Sequence, residues 1–230
     1  MKKLLVSGCS FTTDNYISMH HPTLNADWPK WPELLAHKMG LKVVNLGQSG
    51  AGQEYIFSSI YDYIAEHGSN DIGYVIPAWS QVQRRDYAST KYGRERWTSD
   101  HYDIKGDLYY SIKKTLRYYG MFQALMRKHK LDYKQFQMIE PFKDNFSNLA
   151  LHNRHVEYGN AVKSYVFSNL SLQFNHDSFL GWPVVIDGGF SIQNKVTNNK
   201  MHKPLQISSE DTHPSALGHQ KYAEFIYENL

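Results

Sequence analysis

The chain has 230 residues, 41% of them hydrophobic and 20% charged, with a formal net charge of +3. Its 17 Tyr, 11 Phe and 5 Trp offer enough apolar area to exclude disorder as the main state, and the length suits one α/β domain or at most two small ones. A charge so near neutral is not a nucleic-acid footprint, and a lone cysteine, Cys9, excludes an internal disulfide framework and a cysteine-built zinc site.

The first predicted element is a buried parallel strand over Leu4-Leu5-Val6, closed by Gly8. The run Val6-Ser7-Gly8-Cys9 mimics a lipoprotein cleavage box, but the apolar stretch before it is far shorter than the ~7–15 residues of a signal core. No apolar run approaches the ~18 residues of a membrane span. The sequence therefore reads as a soluble, cytoplasmic protein with no membrane partner. A loop with Pro22, Pro29 and Pro32 leads into a helix from Pro32 to Met39, stopped by Gly40. Lys42 to Leu46 reads as a second buried strand, followed by a glycine-rich turn from Gly47 to Gly52.

Ile56, Ile60 and Ile64 recur at helical spacing and predict an amphipathic helix over Gln53–Glu66. Ile72 to Trp79 is the third strand. Residues 81–105 are polar and aromatic without a clear period. Leu108, Ile112, Leu116, Tyr119, Phe122 and Met126 mark a long helix with a basic end. A fourth strand is expected over Tyr133–Ile139 and a fifth over Val184-Val185-Ile186. Residues 141–180 read as irregular, an insertion or cap, and Pro214–Leu230 as a closing helix. Strands alternating with helices imply a parallel sheet covered on both faces, in one domain over 1–230 with unassigned insertions around 81–105 and 141–180.

Three segments carry chemistry. Gly8-Cys9-Ser10-Phe11-Thr12 leaves the first strand and can present a serine hydroxyl at the sheet edge. Asn45 to Gly52 leaves the second, and its glycines let backbone N–H groups approach an anion. Glu210-Asp211-Thr212-His213-Pro214 places an acid two or three residues before a histidine, a spacing at which a carboxylate can hold an imidazole tautomer. In open α/β sheets ligands bind beyond the carboxyl ends of the strands, so the segments leaving the strands should converge there. Together they offer a nucleophile, anion-binding amides, a base and its orienting acid, the parts of acyl transfer.

These blocks resemble the SGNH (GDSL-type) hydrolases. Gly8–Thr12 is similar to their first block, with Cys9 where Asp is usual. Asn45–Gly52 and the preceding Trp31-Pro32-Glu33-Leu34-Leu35-Ala36 resemble the second region, and Asp211–His219 the last block. The resemblance implies a three-layer α/β/α sandwich with a five-stranded parallel sheet of flavodoxin-like type. It implies Ser10 as nucleophile and His213 as general base, with the Ser10 and Gly50 amides as oxyanion donors. It implies no cofactor and no metal. The family's acid usually stands three before the histidine, where this chain has Glu210; the flanking residues favour Asp211.

The third block departs from the family. Its usual asparagine donor is missing, and the chain has Trp79-Ser80-Gln81-Val82-Gln83-Arg84. Ser80 or Gln81 can donate in its place, or Arg84 can stabilise charge or bind substrate. The function this implies is hydrolysis of a carboxylic ester through an acyl-serine, with an O-acetyl group on a carbohydrate as one substrate. The alternative is a catalytically weakened module of the same fold that binds a glycan or protein partner. Cys9 reads as a buried small hydrophobe, His219 as a residue that packs near a helix start, and His152/His155 and His20-His21 as chance spacings among 12 histidines. Arg94 and Arg96 read as a solvated loop, and Tyr87, Tyr92, Trp97, Tyr102, Tyr109 and Tyr110 as loop packing or a sugar groove.

Overall fold

The computed structural model describes residues 1–88, 97–100, 108–142, 151–197 and 204–230. Its elements in chain order are β1 (Lys3–Gly8), α1 (Trp31–Lys38), β2 (Lys42–Asn45), α2 (Gln53–His67), β3 (Ile72–Trp79), β4 (Arg85–Ala88) and β5 (Trp97–Asp100). There follow α3 (Leu108–His129), β6 (Gln135–Gln137), α4 (Leu151–Phe167), a 3₁₀ turn (Ser171–Gln173), β7 (Phe179–Leu180), α5 (Ile192–Thr197) and α6 (Ala216–Glu228). Five strands form one parallel sheet in the order β2-β1-β3-β6-β7, and β4 pairs antiparallel with β5 in a separate ribbon.

The sequence explains the centre of this sheet. Leu4, Leu5 and Val6 have no exposed surface, because a strand covered on both faces needs apolar side chains pointing both ways. β3 meets β1 along its length, from Leu4 opposite Tyr74 to Gly8 opposite Ala78. α1 packs on α6 and α6 on α5, while α2 packs on α3 and α3 on α4. The two groups of helices cover opposite faces, giving three layers. Ile56, Ile60 and Ile64 are buried, so the predicted stripe of α2 is its core face.

Two expectations are corrected. The fifth strand is β7, Phe179–Leu180, pairing with Gln135 and Phe136. Val184-Val185-Ile186 instead forms turns, with Ile186 N–H on the Pro183 carbonyl and Gly189 N–H on that of Ile186. Its apolar side chains pack on the core from a turn, so their hydrophobicity reported burial and not strand. Residues 141–180 are also not irregular throughout, since they contain α4, the 3₁₀ turn and β7.

All five parallel strands deliver their carboxyl ends to one edge. Residues 9–13 leave β1 there, residues 46–52 leave β2, residues 80–84 leave β3 and residues 138–142 leave β6. Asn45 ties the first two exits together. Its side-chain amide donates to the Thr12 carbonyl at 2.7 Å and its oxygen accepts the Gly47 N–H at 2.9 Å.

Candidate active site

Ser10 stands in a tight turn after β1, where the Cys9 carbonyl accepts the N–H groups of Thr12 and Thr13. Cys9 itself has no exposed surface and lies in the core. At the opposite end of the chain, residues 205–215 fold back on themselves. Ile207 N–H donates to the His213 carbonyl, Ser208 N–H to that of Asp211, and Ser215 N–H to that of Leu205. Ser215 then caps α6 by accepting the Gly218 N–H. α6 is held against the start of α1, where Trp31 N–H donates to His219 Nδ1 at 3.1 Å. This framework sets the histidine loop beside the Ser10 turn.

His213 Nε2 lies 2.8 Å from Ser10 Oγ, and His213 Nδ1 lies 2.6 Å from Asp211 Oδ1. With the Nδ1 proton shared with the carboxylate, Nε2 is left to accept the serine proton. The structure brings Asp211 and not Glu210 to the histidine: Glu210 is exposed and accepts from the neighbouring Ser209 hydroxyl. Burial alone would raise the Asp211 pKa. Hydrogen bonds from Ser18, His213 and Tyr16 outweigh it and hold the pKa down to about 2. Burial lowers the His213 pKa, partly offset by Asp211; the charges of Arg84 and His20 lower it further.

Tyr16 and Ser18 belong to this site although no motif marks them. The Tyr16 hydroxyl donates to Asp211 Oδ2 at 2.8 Å and lies 2.8 Å from His213 Nδ1, and the Ser18 hydroxyl donates to the same Oδ2. Tyr16 also stacks on the imidazole at 4.1 Å, with Phe11 4.5 Å from the ring. Both polar residues sit in the loop between β1 and α1, whose length and lack of period hide which side chains turn inward.

On the other side of Ser10 lies the turn after β2. Gly50 has φ of +80°, a conformation that favours glycine. Among the described residues, neither the Gly50 nor the Ser10 amide N–H donates to a protein acceptor. The next peptide, Ala51–Gly52, is gripped by the segment after β3. The Ala51 carbonyl accepts from Ser80 Oγ at 2.6 Å and from Arg84 Nη1 at 3.3 Å. Asp86 accepts the Gly52 N–H at 2.7 Å and the Tyr55 N–H at 2.9 Å, capping α2 from outside. A Cβ on Gly52 would stand 2.7 Å from Asp86 Oδ2 and 2.9 Å from the Arg84 carbonyl, so a glycine is required for this approach.

Ser80 as an oxyanion donor is therefore corrected. Its hydroxyl proton is on Ala51 and its N–H is on Gln53 Oε1 at 3.2 Å. Its carbonyl accepts the buried amides of Gln53 and Gln137, and Gln137 in turn accepts from Tyr119. This fully buried polar network fixes the turn. Arg84 lies beside it, while Arg85 is exposed. Tyr92, Arg94, Arg96 and Tyr102 lie outside the described residues. Tyr109 reaches across to Glu157 at 2.8 Å and so joins α3 to α4.

No protein-family model matches the chain, and no curated protein matches it in sequence. Solved structures do match. A G-D-S-L family protein from Desulfitobacterium hafniense DCB-2 is similar over 100% of both chains, with a TM-score of 0.52 and 15% identity. The lipase Lip_vut3 from a goat rumen metagenome matches 100% of this chain and 97% of its own, with a TM-score of 0.54 and 9% identity. The psychrotrophic esterase EstA from Pseudoalteromonas sp. matches 100% of this chain and 96% of its own, with a TM-score of 0.51 and 9% identity. The parallel sheet between two helical layers is therefore the fold of this G-D-S-L family protein, this lipase and this esterase.

Proposed function

We propose that the protein is a serine ester hydrolase. The observation that carries this reading is the unbroken hydrogen-bonded line from Ser10 Oγ through His213 to Asp211, with the unengaged amides of Ser10 and Gly50 nearby. Ser10 Oγ attacks the ester carbonyl carbon while His213 Nε2 takes its proton. The carbonyl electron pair moves onto oxygen, where the Ser10 and Gly50 N–H groups stabilise it. Collapse of the intermediate expels the alcohol with the proton held by His213, leaving acyl-Ser10. Water then attacks the acyl group with His213 as base again, releasing the acid and restoring the serine. Asp211 holds the imidazole and stabilises its cation.

An O-acetylated carbohydrate is the substrate class we infer for this reading. A cavity of ≈ 520 Å³ follows β6, lined by Glu140, Asp187, Asn194, Phe142 and Tyr158, and shares no residue with the Ser10–His213–Asp211 line. Carboxylates and amides take sugar hydroxyls, and aromatic rings take sugar faces. The decisive experiment is intact-mass labelling with a fluorophosphonate. Stoichiometric labelling of the wild type, none of Ser10→Ala, and loss of ester turnover by about 10⁴-fold or more in either Ser10→Ala or His213→Ala are expected. A folded wild type that neither labels nor turns over p-nitrophenyl acetate overturns the reading in favour of a binding module.

A further inference from the structure

Beside the Gly50 turn lies a buried charge with no ion-pair partner among the described residues. Arg84 is only 7% exposed. Among the described residues, its side chain makes a single hydrogen bond, from Nη1 to the Ala51 carbonyl, and its buried Nε has no partner. No described carboxylate stands within ion-pair distance of it. Asp86, which feels its charge, has both oxygens engaged by the Gly52 and Tyr55 N–H groups. Taking such an ion out of water costs several kcal/mol, and Asp86 offsets this only through space, without a contact pair.

Two anions can answer such a charge, a carboxylate on the substrate or the oxyanion formed during attack. Position decides between them. Arg84 is 7% exposed as a residue, and its guanidinium is turned to the backbone of the Gly50–Gly52 turn through Nη1. It holds the residue next to Gly50, and its charge reaches His213. Resting on the ester-hydrolase reading, we propose that Arg84 takes over the work of the missing third-block asparagine: its fixed positive charge, set behind the Gly50–Gly52 turn, stabilises the oxyanion that forms when Ser10 attacks.

In that step the Ser10 Oγ–carbon bond forms, the carbonyl π pair becomes a lone pair on oxygen, and the serine proton moves to His213 Nε2. Arg84 loses and gains nothing. It favours the new negative charge and opposes the new imidazolium, which Asp211 offsets. Arg84 is a positioning residue, acting on the oxyanion through the turn it grips and through its charge in a poorly solvated site.

The test compares Arg84→Met and Arg84→Lys with wild type in three measurements: p-nitrophenyl acetate turnover, the rate of fluorophosphonate labelling at Ser10, and the pH profile of kcat/KM. Both variants are first checked for wild-type-like folding by circular dichroism. Arg84→Met is expected to lower kcat and the labelling rate by about 10²-fold, with KM within about twofold. Its acid limb should move to higher pH, because the charge that lowers the His213 pKa is gone. Arg84→Lys keeps the charge and should recover most of the rate. Wild-type labelling in Arg84→Met overturns the proposal, and so does equal loss in Met and Lys variants without movement of the acid limb. If KM rises only for esters that carry a carboxylate while kcat stands, Arg84 is a substrate anchor and the proposal falls. A wild type whose Ser10 does not label at all overturns the parent reading, a result distinct from each of these.

Discussion

Asp211 stays ionised in a buried place, 2% exposed, because three side-chain hydrogens point at it, from Tyr16, Ser18 and His213. Removing one of them changes the balance with desolvation. In Tyr16→Phe or Ser18→Ala the Asp211 pKa should climb from about 2 toward or past its ordinary 3.8. A carboxylate with a depressed folded pKa contributes stability that is fully present above its unfolded pKa and lost as pH falls through the folded one. Each variant should therefore melt below wild type at neutral pH, with the gap closing toward pH 2, as thermal unfolding at stepped pH will read. Tyr16→Phe keeps the ring on His213 and should still cost about tenfold in kcat, the scale of one hydrogen bond to a charge. Wild-type kcat in Tyr16→Phe would show that the hydroxyl does not help to hold the histidine. Ser10, Asp211 and His213 were legible because each lies in a short block with fixed spacing. Tyr16 and Ser18 were not, since their inward turn is set by loop packing that no spacing encodes.

At the level of elements, the segment after β3 has a different task from the one its sequence suggested. Ser80, Arg84 and Asp86 hold the turn between β2 and α2 from outside. Asp86 does two things at once: it caps the α2 N-terminus and pins Gly52 beside Gly50. Asp86→Ala should lose about 1 kcal/mol of stability as a missing cap. It should also slow labelling of Ser10, because the Gly50 amide is no longer fixed. A melting shift with an unchanged labelling rate would separate the cap from the site and limit Asp86 to the helix. Strands β1 and β3 were legible as apolar runs and α2 and α3 as periodic stripes, since burial dictated those patterns. β7 was not, because two residues carry no period. α4 was missed for a related reason: its buried positions, Ala161, Tyr165 and Val166, cluster in its last turns, and Asn153, Gly159 and Asn160 speak against a helix.

Across the whole molecule the site depends on its two ends meeting. Ser10 comes from the first strand and His213 from the loop before the last helix, 203 residues apart in the chain. That meeting was legible in outline, because every chemical block followed a strand end or preceded a helix, and parallel strands bring such ends to one edge. What fixes it was less so. His219 is 4% exposed and accepts the Trp31 N–H, joining α6 to the start of α1. Burial lowers its pKa from 6.5 to about 3, assisted by the charges of Lys30 and His213. A neutral buried histidine binds fewer protons than its unfolded counterpart between those values. The unfolded state is therefore favoured as pH falls from about 6.5 toward 3, at up to about 1.4 kcal/mol per pH unit for one proton. His219→Gln keeps an acceptor for Trp31 and removes the titration. Its stability should decline less steeply than wild type across that window, which denaturant unfolding at successive pH values measures. Parallel slopes for the two proteins would mean that His219 does not carry the acid sensitivity of the α1–α6 contact.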